Sequence, residues 1–278
     1  WAEVTKIAYG DGVVAMSGKT NTAYDPKPST ATAVNRVTSY SGKNEWGTII
    51  YRNKDGSFIR RIDESARLYD DQDPYWGLNR VSSLCYMPNF KPLSKDDTTG
   101  TIVGGFVISG GGKSVYNCVM GKPKDTESIG MITGHSLDSV KGAEPKGVAC
   151  KTVDNIDMTL LVMANGAIGQ FNTSTKNSWL NVETTYEYTD TTTGKTVKVS
   201  LPSSLGGRFN GTTINAMTCF EGNFYLVGTN GFIAYSAGVT SGNKIKWTVI
   251  DVRDAEGNPI TTNFNAIYGY DAVVQGSK

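Results

Sequence analysis

A short pattern of strands and turns recurs along this chain, and it limits the fold more than any other feature. Its clearest copy runs from Ile214 to Trp247. An alternating run, Ile214–Phe220, meets a turn at Glu221-Gly222-Asn223 and returns as Phe224–Val227. Asn230-Gly231 then turns the chain into Phe232–Tyr235, and a fourth strand is expected around Lys246–Ile250. Asn-Gly between apolar runs is a strong hairpin signal, because a type I′ turn needs positive φ at both central residues.

Sixty-five residues earlier, Asn165-Gly166 occupies the same slot, after Val148-Ala149-Cys150 and Leu160-Leu161-Val162 and before Ala167-Ile168 and Trp179. A looser copy joins Ser82–Tyr86 to Gly105–Ile108, with Gly110-Gly111-Gly112 as its turn. Ile7–Gly12 and Val13–Met16 open another, and Phe264–Gly269 with Val273-Val274 begins one more. Four short antiparallel strands cannot bury an apolar face alone, so such units must stack. Radial stacking gives a propeller. The expected fold is therefore all-β: a single β-propeller domain over 1–278, of about five blades (five to seven), each four-stranded and antiparallel. The approximate repeats are 5–62, 63–140, 141–200, 201–255 and 256–278. Trp1–Val4 would complete the last of these and close the ring, which protects strand edges.

Composition agrees with this reading and excludes others. Gly is 32 of 278 residues, with abundant Thr, Ser and Asn and no sustained helical periodicity, so a helical bundle or coiled coil is excluded. With 27 Lys+Arg against 26 Asp+Glu, the chain lacks the dense positive field of a nucleic-acid binder. No apolar run reaches the roughly 18 residues of a membrane span. The opening at Trp1, without a basic-then-apolar leader, is what a processed chain or a piece of a longer one would show.

The repeat residues Ile7-Ala8-Tyr9-Gly10, Val13-Val14-Ala15 and above all Phe232-Ile233-Ala234-Tyr235-Ser236 resemble the BNR/YVTN-like β-propeller repeats. The resemblance spans most of the chain in degenerate form, with Ile214–Trp247 the good match. It implies a setting among phage tail, receptor-binding and bacterial surface proteins, hence a virion or extracellular location. The related Asp-box, Ser-x-Asp-x-Gly-x-x-Trp, is represented by Ser236-Ala237-Gly238 and Trp247 without its Asp, which weakens a sialidase reading.

Chemical motifs are few. Ser109-Gly110-Gly111-Gly112-Lys113-Ser114 imitates a phosphate loop, but Val107 stands where Walker A needs Gly and a strand is expected to follow. His135 is the sole imidazole and no Gly-x-Ser-x-Gly elbow accompanies it, so a Ser-His-Asp mechanism is not expected. Cys85, Cys118, Cys150 and Cys219 lie in apolar strands without Cys-x-x-Cys spacing, and read as small buried thiols rather than zinc ligands. The sequons at Asn172 and Asn210 arise by chance in so Asn/Thr-rich a chain.

The densest functional candidate is Leu68–Gly77, where Asp70, Asp71, Asp73 and Tyr75 form the candidate binding set. An aromatic ring can stack on a pyranose face while carboxylates accept from hydroxyls. Trp76 reads as a repeat-closing Trp packed between blades, and calcium is an alternative occupant although the spacing is not that of an EF-hand. Tyr186–Val199 reads as a hairpin with a polar tip whose strands offer a neighbouring subunit an edge, and so a route to a homo-oligomer. The sequence thus points to a non-enzymatic recognition or structural module, without cofactor or metal, binding a cell-surface glycan or a neighbouring virion or surface protein. The alternative is a glycan hydrolase with paired carboxylates at the propeller axis.

Overall fold

The computed structural model describes residues 3–19, 48–53, 55, 58–62, 80–89, 104–111, 117–121, 133–137, 140, 144–172 and 178–269. Strands dominate them. The first antiparallel sheet contains β1 (Glu3–Gly10), β2 (Val13–Lys19), β3 (Thr48–Asn53) and β4 (Phe58–Ile62), in that order. The second contains β5 (Arg80–Met87), β6 (Gly105–Gly111), β7 (Asn117–Gly121) and β8 (Thr133–Ser136). A third meander follows: β9 (Pro145–Val153), β10 (Ile156–Met163), β11 (Ile168–Asn172) and β12 (Ser178–Thr189), the last folding back through β13 (Thr196–Val199). The fourth is built from β14 (Ile214–Phe220), β15 (Asn223–Gly228), β16 (Ile233–Ser236) and β18 (Lys244–Val249), with the two-residue β17 (Val239–Thr240) paired to β18.

Turn chemistry explains the meanders. Three first hairpins turn on two residues with positive φ: Asp11 (51°) and Gly12 (76°), Asp154 (51°) and Asn155 (60°), Glu221 (45°) and Gly222 (73°). Their twist matches that of the paired strands. Asn230 (60°) and Gly231 (66°) form the expected type I′ turn, closed by Phe232 N donating to Thr229 O at 3.1 Å. Asn165-Gly166 differs. Only Gly166 has positive φ (90°), and Gly166 N donates to Met163 O, which makes a three-residue loop ending in a left-handed glycine.

Alternation along each strand then decides which sheet packs on which. In β10, Leu160 and Val162 face the fourth sheet, where Phe224, Leu226, Phe232 and Trp247 are buried. Leu161 and Met163, on the other face, join Met87, Val107, Val148, Phe171 and Trp179 against the second sheet. Across the second sheet, Phe106 and Ile108 meet Val13 and Ala15 of the first. Strands covered on both faces read as nearly continuous apolar runs, as Leu160–Met163 does. The innermost strands β1, β5, β9 and β14 stand side by side in that order. Successive four-stranded sheets packed face to face, with their first strands around one opening, form a propeller-type ring.

Two expectations are corrected here. Glu3 and Val4 pair with Lys19 and Gly18 as the start of β1, so they belong to the innermost strand of the first sheet and are not the outer strand of a last one. The apolar alternation simply runs on into Ile7 and Tyr9. The Tyr186–Val199 hairpin exists, with Tyr186 opposite Val199; the β12 edge away from β13 is taken by β18, while β13 pairs with β12 alone among the described residues. β12 overruns its own sheet and pairs in parallel with β18 from Glu183–Lys244 to Tyr188–Val249. Twelve residues are enough to serve both neighbours, and the third and fourth meanders become one ten-stranded sheet.

Beyond β18, residues 261–269 carry no assigned strand although they open the last sequence repeat. They are nevertheless fastened: Gly231 N donates to Thr262 O at 2.9 Å, Phe264 N to Gly228 O at 3.0 Å, and Asn215 Nδ2 to Phe264 O at 2.9 Å.

Candidate functional site: the central opening

The four innermost strands surround a cavity of about 550 Å³. Thr5–Tyr9 of β1, Ser83–Tyr86 of β5, Lys146, Val148–Cys150 and Thr152 of β9 and Ala216–Cys219 of β14 line it, with Pro88, Ala266, Ile267 and Tyr268. The small residues Ala8, Ala149 and Ala216 suit the place where sheets converge. β9 and β14 approach closely at Gly147, where a Cβ would fall 2.7 Å from both the backbone nitrogen and the Cβ of Met217. Val148 N donates to Ser83 Oγ at 3.0 Å, tying β9 to β5. Outside the cavity, Asp157 takes the backbone N–H and the side-chain amide of Asn89 at 2.8 and 2.9 Å, and the Thr152 hydroxyl at 2.7 Å. That carboxylate pins the end of β5 to the β9–β10 hairpin.

Large apolar groups are open to solvent at the mouth: Ile7 is 65%, Tyr9 60% and Tyr268 83% exposed. Exposed apolar surface grouped in a concavity marks interaction sites more often than isolated exposed residues do. Two thiols and one phenol of the lining are shifted upward. Burial pushes the Cys150 thiol up to about 12, the Asp157 charge adds to the rise, and the Thr159 and Thr152 hydroxyls oppose it. Cys219 is raised by burial against the opposing Lys151 charge, and Tyr86 by burial and then by Asp157. Thiols so shifted are poor nucleophiles at neutral pH. Lys6 and Lys146 supply positive charge, Lys146 also pairing with Glu144 at 2.7 Å, and no carboxylate belongs to the described lining.

Asp70, Asp71, Asp73 and Tyr75 lie outside the described residues, as do Trp46 and Trp76. His135 falls on β8, and Gly110 and Gly111, expected in a turn, are instead the paired end of the strand β6. Trp179 and Trp247 take the packing role expected of repeat-closing tryptophans, at 1% and 0% exposure. Cys150 and Cys219 are free thiols. The sequence carried one unread signal for the opening: Cys85, Cys150 and Cys219 each sit in the first strand of a repeat, and first strands are the ones that meet at the axis.

No family model and no curated protein matches the chain. Among solved structures it is similar to U3-55K, at 9% identity and a TM-score of 0.44 over 94% of this chain and 56% of that one. It is also similar to YCF48 from Cyanidioschyzon merolae, at 12% identity and 0.42 over 94% and 74%. A third likeness is to the Chaetomium thermophilum Nup170 NTD–Nup53 complex, at 10% identity and 0.38 over 85% and 26%. This chain thus spans little more than half of the first and about a quarter of the third. All three scores lie too low to add to the fold, which rests on the sheets themselves.

Proposed function

We propose that this chain is a non-enzymatic recognition or structural module that seats a cell-surface glycan or a protein partner on the central opening of its ring. The observation that carries the reading is the mouth itself: Ile7, Tyr9 and Tyr268 exposed around a cavity in which Cys150, Cys219 and Tyr86 are raised. Such a site offers rings for stacking and lysines for oxygen acceptors. The hydrolase alternative needs two acids a few ångströms apart at the axis. The resemblance to BNR/YVTN-like repeats favours a setting in a phage tail or bacterial surface assembly. It also supports a ring of about five units, the fifth beginning at Phe264, whose backbone is already fastened to β15.

Glycan-array binding set beside hydrolysis of the released oligosaccharides tests this. The expected result is binding without new reducing ends, weakened about tenfold or more by Tyr268→Ala. Tyr268 is too exposed for that change to unfold the chain. New reducing ends, or full binding by the Tyr9→Ala, Tyr268→Ala double variant, would overturn the reading.

A further inference from the structure

A second concavity, of about 310 Å³, shares no residue with the opening. Three segments distant in sequence build it: Tyr188, Asp190, Thr193, Lys195 and Val197 of the β12–β13 hairpin, the turn Leu205–Phe209, and Arg253 with Pro259. Phe209, 1% exposed, is its base. The Tyr188 ring meets it edge-on at 5.0 Å, and the Arg208 guanidinium lies 4.6 Å from its centroid.

The charges behind this wall do not balance. Asp251, with a side chain 4% exposed, accepts from Arg208 Nη2 at 2.5 Å and Arg253 Nε at 3.0 Å, so one carboxylate faces two guanidiniums. Thr191 Oγ1 donates to it as well. Arg208 Nη1 donates to Val252 O, while its Nε is buried without a partner among the described residues. A buried unpaired donor on a charged group is costly and calls for an acceptor. Arg253 also donates to Gly257 O and Thr192 Oγ1. Asp190, the acid on the wall, has an oxygen engaged by the Thr192 and Thr193 N–H groups that cap the hairpin tip. Lys195 stands exposed at the mouth. Three cations against two acids leave a surplus of one positive charge beside an aromatic wall.

We infer that this concavity binds a singly anionic sugar, a hexuronic acid unit whose carboxylate answers Arg208 and Lys195 while its ring lies against Tyr188. The volume is at the small end for ligand sites, which fits one or two rings better than a larger molecule. The choice of a sugar rests on the glycan reading above; the preference for an anion does not.

Calorimetric titration of the whole chain with galacturonate, galactose and acetate tests it. Galacturonate is expected to bind at least about tenfold more tightly than either, less tightly as salt rises, and at least about tenfold less tightly to Lys195→Glu. Tyr268→Ala should leave galacturonate binding unchanged, which separates this site from the opening. Lys195 is exposed, so an unaltered melting curve shows that its variant folds. Equal affinity for galactose, acetate binding as tightly as galacturonate, indifference to Lys195→Glu, or no binding at all would overturn the inference.

Discussion

Tyr186 is buried completely, stacked at 6.2 Å and 11° on Trp247, and its hydroxyl donates to Gly166 O at 2.6 Å. Burial holds the phenol protonated far above its ordinary range, so it is a permanent donor. Tyr186→Phe keeps the ring and strands the carbonyl of a tight loop, and is expected to cost about 1–3 kcal/mol in denaturant unfolding. Cys150 makes a prediction in pH. Its folded pKa is raised to about 12, so the unfolded chain loses its proton first as pH rises from about 9. Its contribution is complete below the unfolded pKa and disappears as pH climbs through 12. Wild type should therefore lose stability over this interval more steeply than Cys150→Ala, as read from urea midpoints at pH 8 and 11; parallel losses would refute the assignment. Packing residues of this kind were legible in sequence, since Trp179 and Trp247 recur once per repeat. The anion pocket was not, because Lys195, Arg208 and Arg253 meet only after three separate turns are made.

Among the elements, hairpins could be read wherever two turn-formers separate apolar runs, as at Asn230-Gly231. Asn165-Gly166 shows the limit of that reading, because an identical dipeptide forms another turn once one more residue enters the loop. The overrun of β12 was illegible for a different reason. Ser178–Thr189 alternates in the same way whether its last residues hang free or pair with β18, and a parallel partner 60 residues on leaves no local mark. Contacts between elements are similarly hidden, and two can be tested. Gly147→Ala must push β9 away from Met217, backbone against backbone, and is expected to destabilise by about 1–3 kcal/mol. Asp157→Ala frees two donors of Asn89 and is expected to cost about 1–3 kcal/mol. Amide exchange should accelerate at Met87–Asn89 more than in β14–β16; uniform acceleration would mean that Asp157 does not act as an inter-sheet pin.

At the scale of the molecule, the ring is not equally joined throughout. Among the described residues the first, second and third meanders meet face to face without strand pairing between them, whereas β12 and β18 share backbone pairs that fuse the third and fourth. Glu187 lies on that seam, ion-paired to Lys198 of β13 at 2.9 Å and to Lys246 of β18 at 3.1 Å. Tyr186 and Trp247 stack across it, and Ile245, 2% exposed, stands opposite Thr184 in the same core. A sheet continuous through its hydrogen bonds should open as one cooperative unit, because separating either half strands the donors and acceptors of the other. Ile245→Ala, expected to cost about 2–5 kcal/mol, probes this from the fourth meander alone. If the halves are one unit, exchange protection falls by the same factor in β9–β12 as in β14–β16, and less in β1 and β2. Were the loss confined to β14–β18, the parallel pairing would be a contact between two independent sheets, and the third and fourth meanders would be separate units held by side chains.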